Sequence, residues 1–381
     1  MAENLKEFPN EELILAAEQN RRKRRRRKII RVAVTWIFAV CIAAVLITAA
    51  VLAFMAAGKN SLRQKNGNGR PVFTQEETIQ AEENKNSEGT AAPMNWQEGW
   101  VRHNGRIYAY KEDILTFLVM GIDKAGEVEE SAKAYDGGQA DAIFLAVLDP
   151  SDKAIRVIAV NRDTMTDVQM IDENGVVSTI RAQIATQHGF GDGLQESCEL
   201  TKDAVSRLFY ELPIHGYVSI NMEAIGDLND AVGGVELTVP EDLTEVSPKW
   251  IKGAVVNLKG DEAFWYVKYR DIAVFESNRG RLARQKQYLT AFAEKAIEAT
   301  EKDLTFPVEL YNRLSKYMVT DITADEVAYL AAQMMGYHFS QDAIYTLEGT
   351  TKMGKRHEEF YYDKAALKDL MIHIFYEEVV Q

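Results

Sequence analysis

Carboxylates and an arginine stand at the ends of three short apolar runs in the first half of the chain. Asp123 closes the run LTFLVMGI, Asp141 opens the run DAIFLAVL two residues after Gln139, and Arg162 and Asp163 follow the run AIRVIAV. Runs this short, continuous and rich in branched side chains are typical of buried central strands. Because the ends of neighbouring strands lie side by side, we expect these polar side chains to converge at one rim of a sheet.

A second group of basic residues lies further along the chain. It comprises Lys268 and Arg270 in the segment YVKYR, and Arg281, Arg284 and Gln285 in the segment NRGRLARQ. The first pair would point the same way on a strand, and the last three would share one face of a helix. Carboxylates suit a hard divalent cation, and guanidinium groups offer paired donors to phosphate oxygens. The two groups together predict chemistry on a pyrophosphate.

The elements that must position these residues are indicated by hydrophobic spacing. Strands are predicted at Leu115–Ile122, Asp141–Leu148 and Ala154–Val160, with a tight turn at 149–152 that makes a hairpin of the last two. Further strands are predicted at His215–Asn221 and Val235–Val239, and an alternating stretch at Glu358–Tyr362. Helices are predicted at Glu199–Tyr210, Met222–Val232, Arg284–Ala299 and Lys364–Glu378. This alternation predicts an α/β or α+β fold, a central sheet with helices on its faces.

The N-terminal region predicts a membrane anchor. Residues 21–28 read RRKRRRRK, and the stretch from Val32 to Gly58 carries no charge, which is long enough to span a bilayer. The basic flank places the N-terminus in the cytoplasm. We therefore divide the chain into a basic cytoplasmic tail (1–28), a transmembrane helix (29–58), a flexible polar linker (59–99) and an extracytoplasmic domain (100–381). The predicted localisation is the cell membrane, with a single pass.

Composition restricts the remaining possibilities. The 381 residues are 46% hydrophobic and include 57 acidic against 44 basic side chains, and much of the basic charge sits in the N-terminal run. The rest is acidic, which argues against a nucleic-acid partner. The cysteines, Cys41 and Cys198, form no disulfide framework, and His188 and His215 show no metal or triad pattern. The basic run could alternatively bind nucleic acid, but its place beside an apolar span favours membrane orientation.

In this order, the segments ending in Asp123, Asp141, Asp163 and Gln285 resemble the LytR-CpsA-Psr family of cell envelope phosphotransferases. The family pattern is N-I-L-L-L-G-x-D, R-S-D-T, P-R-D-T and Y-V-x-x-R followed by D-x-G-R-x-x-R-Q, and residues 216–239 are similar to the family segment ending in a Gly-Gly-Val strand. The resemblance extends from about Asp113 to Glu294. It implies an α/β sheet enclosing a long apolar pocket for a polyisoprenyl chain.

The resemblance also implies an activity. A phosphoglycan, such as teichoic acid or a capsular polymer, would move from a polyisoprenyl pyrophosphate carrier to peptidoglycan, with release of polyisoprenyl phosphate. Position by position, Asp123 and Asp141 would hold Mg²⁺. The residues implied to bind the pyrophosphate are Gln139, Arg162, Lys268, Arg270, Arg281, Arg284 and Gln285. Arg162, Asp163 and Arg270 would be catalytic, and the general base is either Asp163 or a metal-binding carboxylate.

Four positions depart from the family pattern, and one of them, Asn161 in place of the usual proline, affects the turn more than the chemistry. Gln139 replaces an arginine, Lys268 replaces the first basic residue of a pair of arginines, and Asn278 replaces an aspartate. Lysine cannot donate a bidentate pair of hydrogen bonds to phosphate as arginine does, and glutamine supplies a dipole in place of a full charge. The alternative to an active transferase is therefore a catalytically weakened, lipid-phosphate-binding regulator or scaffold of envelope assembly. The retained carboxylates and arginines favour activity.

Overall fold

The computed structural model describes residues 53–62, 64–65, 69–73, 97, 99–131, 133, 135–171, 177–271, 274 and 277–379. Residues 57–381 form one compact unit. Within the described ranges, no helix combines the length and the apolar character needed to cross a bilayer. The predicted span at 29–58 falls largely outside those ranges, so it stays a prediction.

The unit is built on a six-stranded mixed sheet. Its strands are β3 (Leu115–Ile122), β4 (Ala140–Asp149), β5 (Ala154–Val160), β8 (Gly216–Asn221), β11 (Met318–Thr320) and β12 (Ile344–Thr346). They lie in the order β11-β8-β3-β4-β5-β12. β4 lies between β3 and β5 and runs antiparallel to both. β8 pairs in parallel with β3, and β12 pairs in parallel with β5. The predicted hairpin is confirmed.

Within the part of the chain that the structure describes, shorter strands form four small sheets around the central one. They are β1 (Trp100–His103), β2 (Arg106–Tyr110), β6 (Met165–Ile171), β7 (Val177–Gln183), β9 (Val235–Thr238), β10 (Val255–Leu258), β13 (Gly349–Met353), β14 (Glu358–Tyr362) and β15 (Tyr376–Glu378). β1, β2 and β15 form one sheet, and the others pair as β6-β7, β9-β10 and β13-β14.

Seven α-helices surround the sheets within residues 97–379 of the described ranges. They are α1 (Gln195–Leu208), α2 (Ile225–Ala231), α3 (Asp261–Lys268), α4 (Ser277–Lys302), α5 (Phe306–Leu314), α6 (Ala324–Gln333) and α7 (Lys364–Phe375). Two have clear start signals: Thr323 and Glu326 form a capping box on α6, and Asp363 accepts hydrogen bonds from the first backbone amides of α7. Gly233 and Gly234, both at positive φ, follow the end of α2.

The two faces of the central sheet are packed differently. On one face Leu118, Leu145 and Ile158 are fully buried in the main core, together with side chains of α1 and α7. The opposite face includes Val119 and Ala142, which are only partly buried and pack with residues of α4. Burial of both faces explains why the central strands read as continuous apolar runs.

Some predicted elements differ from the structure. Lys268 ends helix α3 and is not on a strand, because residues 261–268 bury Ala263, Tyr266 and Val267 on one helical face. α4 begins at Ser277, before the predicted start at Arg284. The predicted C-terminal helix ends at Phe375, where Tyr376 begins a strand paired with β2. Long-range pairing decides this last boundary, and local spacing does not reveal it.

The described part of the predicted linker includes a helical stretch at 59–62 and 64–65. Its Leu62 is 1% exposed and packs with Phe117, Leu148 and Ile322. These residues therefore contact the folded unit, whereas the prediction placed them in a free tether. Residues 74–96 lie outside the described ranges, and the predicted boundaries at 59 and 99 stay predictions.

Candidate functional site

The end of β3, the start of β4 and the end of β5 meet at one rim of the central sheet, as the antiparallel order requires. At this rim the backbone amide of Gln139 donates to Oδ1 of Asp123 at 2.6 Å, and the Asp123 amide donates to the Gln139 carbonyl at 3.0 Å. The register shifts between Gly121 and Ile122. Such a register shift is typical of places where a strand changes the direction in which a side chain points. Asp123 is exposed there.

Arg162 connects the rim carboxylates to the interior. Its two terminal nitrogens donate to Asp141 Oδ1 and to Gln139 Oε1. Its Nε lies 3.6 Å from Asp163 Oδ1 and has no hydrogen-bond partner among the described residues. Gln139, which replaces the arginine of the family pattern, thus accepts a hydrogen bond from Arg162 where an arginine would repel it.

Asp163 is held by two side-chain amides. Gln183 Nε2 donates to Oδ1 at 2.8 Å, and Asn278 Nδ2 donates to Oδ2 at 2.9 Å. The residue is 5% exposed. Burial raises the pKa of Asp163, and the positive charges of Arg162, Arg270 and, less strongly, Arg281 oppose that rise. With both oxygens engaged, Asp163 orients its neighbours and is poorly placed to accept a proton from a substrate.

Arg281 reaches the same rim from the second turn of α4. Its Nη1 lies 3.3 Å from Asp141 Oδ2, and its Nη2 donates to Asn278 Oδ1 at 2.8 Å. Burial lowers the pKa of Arg281, and the charges of Arg162 and Arg270 lower it further. The buried guanidinium groups repel one another, so an anion bound among them would be favoured.

Arg270 lies two residues beyond the end of α3. No hydrogen bond or ion pair of its side chain occurs among the described residues, and it is half-buried. Its charge lowers the pKa of Arg162 and of Arg281, which puts it within electrostatic reach of both. The structure therefore brings together the following residues predicted from sequence: Asp123, Gln139, Asp141, Arg162, Asp163, Arg270 and Arg281.

Arg284 and Gln285 are buried on the predicted helix face, and apart from the ion pair of Arg284 with Glu241 their hydrogen bonds are to backbone carbonyls. Arg284 Nε donates to the Tyr266 carbonyl at 3.0 Å, and its Nη2 donates to the Tyr269 carbonyl. Gln285 Nε2 donates to the Val267 carbonyl at 3.2 Å. These bonds satisfy carbonyls at the C-terminal end of α3. In this structure the two side chains hold the segment that carries Arg270.

Of the site residues predicted from the sequence, Lys268 has the weakest connection to the rim of the sheet. Its Nζ lies 4.7 Å from the centroid of the Phe264 ring, on the last turn of α3. The expectation that Lys268 and Arg270 point the same way along a strand is wrong, because a helix ends between them.

The donor set at the rim fits a magnesium ion of the kind found with phosphate substrates. Such ions take one or two carboxylates and fill their remaining positions with phosphate oxygens and water. Asp123 and Asp141 are two such carboxylates. Among the residues that the structure describes, no three His, Cys, Asp or Glu side chains form a group that could enclose a metal ion. Asp141 accepts from Arg162 through Oδ1 and from Arg281 through Oδ2, so a metal ion at the rim would share this carboxylate with the two guanidinium groups.

Three supporting residues were not predicted from the sequence. Gln183, on β7, also donates to the Glu358 carbonyl at 2.8 Å, and Glu241 accepts from Arg284 Nη1. Asn161 Oδ1 accepts from Asn278 Nδ2 at 2.9 Å and from the Asp163 amide at 3.0 Å. Only Asn161, which replaces a proline in the family pattern, carried a sequence signal. Gln183 and Glu241 stand in segments without a distinctive motif.

The fold and the rim define a mixed α/β domain with an arginine and carboxylate site suited to a phosphate ester. Residues 72–372 match the LytR_cpsA_psr family. The chain belongs to this family.

A curated relative agrees with that assignment, and solved structures have the same fold. The chain is 26% identical over 217 residues to the polyisoprenyl-teichoic acid–peptidoglycan teichoic acid transferase TagU of Bacillus cereus strain AH820. This match covers 57% of the chain and 63% of that relative, so the chain spans under two thirds of the relative's length. The crystal structure of gbs0355 from Streptococcus agalactiae has a TM-score of 0.56 at 19% identity, over 68% of this chain and 86% of that one. B. subtilis TagV has a TM-score of 0.53 at 22% identity, over 69% and 96%.

Proposed function

We propose that this protein is a magnesium-dependent phosphotransferase that moves a phosphoglycan from a polyisoprenyl pyrophosphate carrier to peptidoglycan. A hydroxyl oxygen of the acceptor attacks the glycan-bearing phosphorus. The bond from that phosphorus to the bridging oxygen breaks, and polyisoprenyl phosphate leaves. The name of the Bacillus cereus relative supports the choice of donor and acceptor.

The observation that carries the proposal is the convergence of Arg162, Arg270 and Arg281 beside Asp123 and Asp141. Burial and mutual repulsion lower the pKa of Arg162 and Arg281. A pyrophosphate would relieve that repulsion and accept several charge-assisted hydrogen bonds. Phosphoryl transfer depends mainly on positioning and on neutralising charge, so a metal ion and such an arginine cluster together can suffice for catalysis.

Roles follow from the contacts. Arg162, Arg270 and Arg281 bind phosphate oxygens, and Asp163 keeps Arg162 and Asn278 in place. Magnesium held by Asp123 and Asp141 would add charge neutralisation on the pyrophosphate. Because both oxygens of Asp163 and both oxygens of Asp141 accept hydrogen bonds, the acceptor proton passes to Asp123 or to solvent.

A route for the polyisoprenyl chain is supported by the sheet face below α4. The small residues Gly121, Ala142 and Ala146 lie on this face, Met222 packs against Gly121, and Ala142 and Leu282 of α4 belong to one apolar cluster. At the other end of α4 a cavity of about 250 Å³ lies between α4, α5 and α6, lined mainly by apolar side chains. From Arg281 to Ile297 the helix extends about 24 Å. We propose that the lipid runs along this face from the phosphate site to the cavity.

The proposed location is the outer face of the cell membrane, with a single span at 29–58 and a cytoplasmic N-terminus. The basic run at 21–28 and the uncharged stretch that follows support this topology. The lipid carrier is itself a membrane component, and the net charge of −13 argues against a nucleic-acid partner.

A weakened lipid-phosphate-binding regulator or scaffold is the second candidate. Gln139 favours it, because a neutral amide stands where the family has an arginine, and that amide occupies one terminal nitrogen of Arg162. Such a protein would bind polyisoprenyl phosphate and turn over slowly.

The test begins with the full chain purified in detergent. Mass spectrometry should detect a co-purifying polyisoprenyl phosphate in the parent protein and in Arg313→Ala, a control whose arginine is half exposed beside Asp227. Arg162→Ala should lose it. A transfer assay with a lipid-pyrophosphoryl glycan and peptidoglycan should then require Mg²⁺. Lipid binding without magnesium-dependent transfer would support the regulator, and no lipid in any folded variant would contradict both candidates.

A further inference from the structure

A short segment ahead of the family match is built into the folded unit. We call residues 57–62 and 64–65 the membrane-proximal segment. It is helical, and Leu62 is 1% exposed in a cluster with Phe117, Leu148 and Ile155. The family match begins only at residue 72, so this contact lies outside it.

An ion pair fixes the segment to α6. Glu326, which is 0% exposed, accepts from Lys65 Nζ at 2.7 Å and from the Thr323 amide at 2.9 Å through Oε2. Lys65 also donates to the Asp321 carbonyl. Oε1 of Glu326 has no hydrogen-bond partner within the described part of the chain. Without Lys65 a buried carboxylate would lose its cation, which is strongly unfavourable.

Gly58 brings the backbone of the segment against the first turn of α6. The glycine is buried, and a Cβ at this position would overlap the carbonyl of Asp325. No side chain fits there without moving backbone. The contact therefore sets the segment close to α6 at the residue where the predicted membrane span ends.

The same helix forms one wall of the apolar cavity. Val327, Leu330 and Ala331 line it from α6, and Met335, two residues beyond the helix, is 51% exposed at its edge. Because α6 has ten residues and is about 15 Å long, the cavity lies close to the predicted exit of the chain from the bilayer.

We propose that the membrane-proximal segment clamps α6 so that the mouth of this cavity, marked by Met335, rests on the outer leaflet of the phospholipid bilayer. The domain then has a fixed position at the membrane surface, and an isoprenoid chain enters the cavity directly from the membrane. The second statement rests on the proposed transferase function, whereas the docking rests only on the proposed membrane topology.

The experiment uses the full chain reconstituted in phosphatidylcholine and phosphatidylglycerol vesicles. A fluorophore is attached at Met335→Cys in a Cys41→Ala background, since Cys198 is buried. Met353→Cys is the matched control, an exposed methionine on β13. Brominated lipids should quench the Met335→Cys label several-fold more than the Met353→Cys label. Equal quenching of both labels would overturn the proposal.

The clamp is tested by Lys65→Met, with Lys59→Met as a control on an exposed lysine of the same segment. Lys65→Met should reduce quenching of the Met335→Cys label to the level of the Met353→Cys label, and Lys59→Met should not. The double variant Lys65→Met with Glu326→Gln separates loss of the clamp from misfolding, because it leaves no unpaired charge. It should fold as stably as the parent and still lose preferential quenching.

Unchanged quenching in both Lys65 variants would refute the clamp. Neither readout requires transfer activity or a bound lipid phosphate. The failure of the docking proposal and the failure of the proposed transferase are therefore distinguishable.

Discussion

Asn278 donates its side-chain amide to Oδ2 of Asp163 at 2.9 Å, and its carbonyl oxygen accepts from Arg281 Nη2 at 2.8 Å. One residue on α4 thus couples the carboxylate after β5 to a guanidinium of the proposed phosphate site. The family pattern has aspartate at this position, which could not donate to Asp163 without taking up a proton.

Asn278→Ala should remove this coupling. We expect a loss of about 1–3 kcal/mol in the free energy of unfolding, because a buried carboxylate loses a donor. The rate constant kcat/KM for transfer should fall by up to about 10²-fold, since Arg281 would be displaced. Denaturant unfolding and initial rates measure the two effects. An unchanged kcat/KM would mean that Asn278 does not position Arg281.

Asn278→Asp should make activity depend on pH. Two adjacent buried carboxylates raise the pKa of one of them. As pH rises through that raised pKa, the pair loses its shared proton and repulsion disturbs the site, so the rate should fall on the alkaline side. The pH profile of kcat/KM measures this, with the parent protein as reference. Identical profiles would contradict the close pairing of residues 163 and 278.

Gln139→Arg restores the family charge at the rim. The new guanidinium can no longer accept from Arg162, and it adds a bidentate donor for phosphate. If Gln139 weakens phosphate binding in this protein, the Gln139→Arg variant should retain more polyisoprenyl phosphate and should transfer the phosphoglycan faster. Gln139→Met, which supplies neither an acceptor nor a charge, is the control. Equal retention by the two variants would show that charge at this position is unimportant.

Arg284→Lys tests whether Arg284 acts on Arg270 through the backbone. Lysine keeps the charge but cannot reach the carbonyls of Tyr266 and Tyr269 together. We expect faster hydrogen exchange at 266–270 and a loss of phosphate affinity close to that of Arg270→Ala. Lys286→Met, a change two residues along α4, should alter neither. Retained affinity in Arg284→Lys would indicate that the charge acts directly on phosphate.

His215 makes stability depend on pH. Burial lowers its pKa from 6.5 to about 4, and its Nδ1 accepts from the Thr116 amide at 3.1 Å. Between these values the unfolded chain binds the proton and the folded chain does not. Stability should therefore fall as pH drops from 6.5 towards 4, by on the order of 3 kcal/mol. His215→Asn keeps an acceptor without titrating, so its unfolding free energy should fall less over this range.

The sequence by itself determined the three central strands and the rim at which they end. Their continuous apolar runs require burial on both faces, and the tight turn after β4 permits only an antiparallel hairpin. The motif order around Asp123, Asp141 and Arg162 then identified the family. These features are local, so spacing and residue type were enough to predict them.

Tertiary structure alone decided which side chains meet. Arg281 and Arg284 are three residues apart on one helix, yet one contacts Asp141 and the other contacts a carbonyl in the last turn of α3. The partners are 140 and 18 positions away in the chain. Gln183 and Lys65 likewise take their roles from residues distant in sequence. No periodicity encodes such contacts, because they depend on where the packed sheet and helices bring separate segments together.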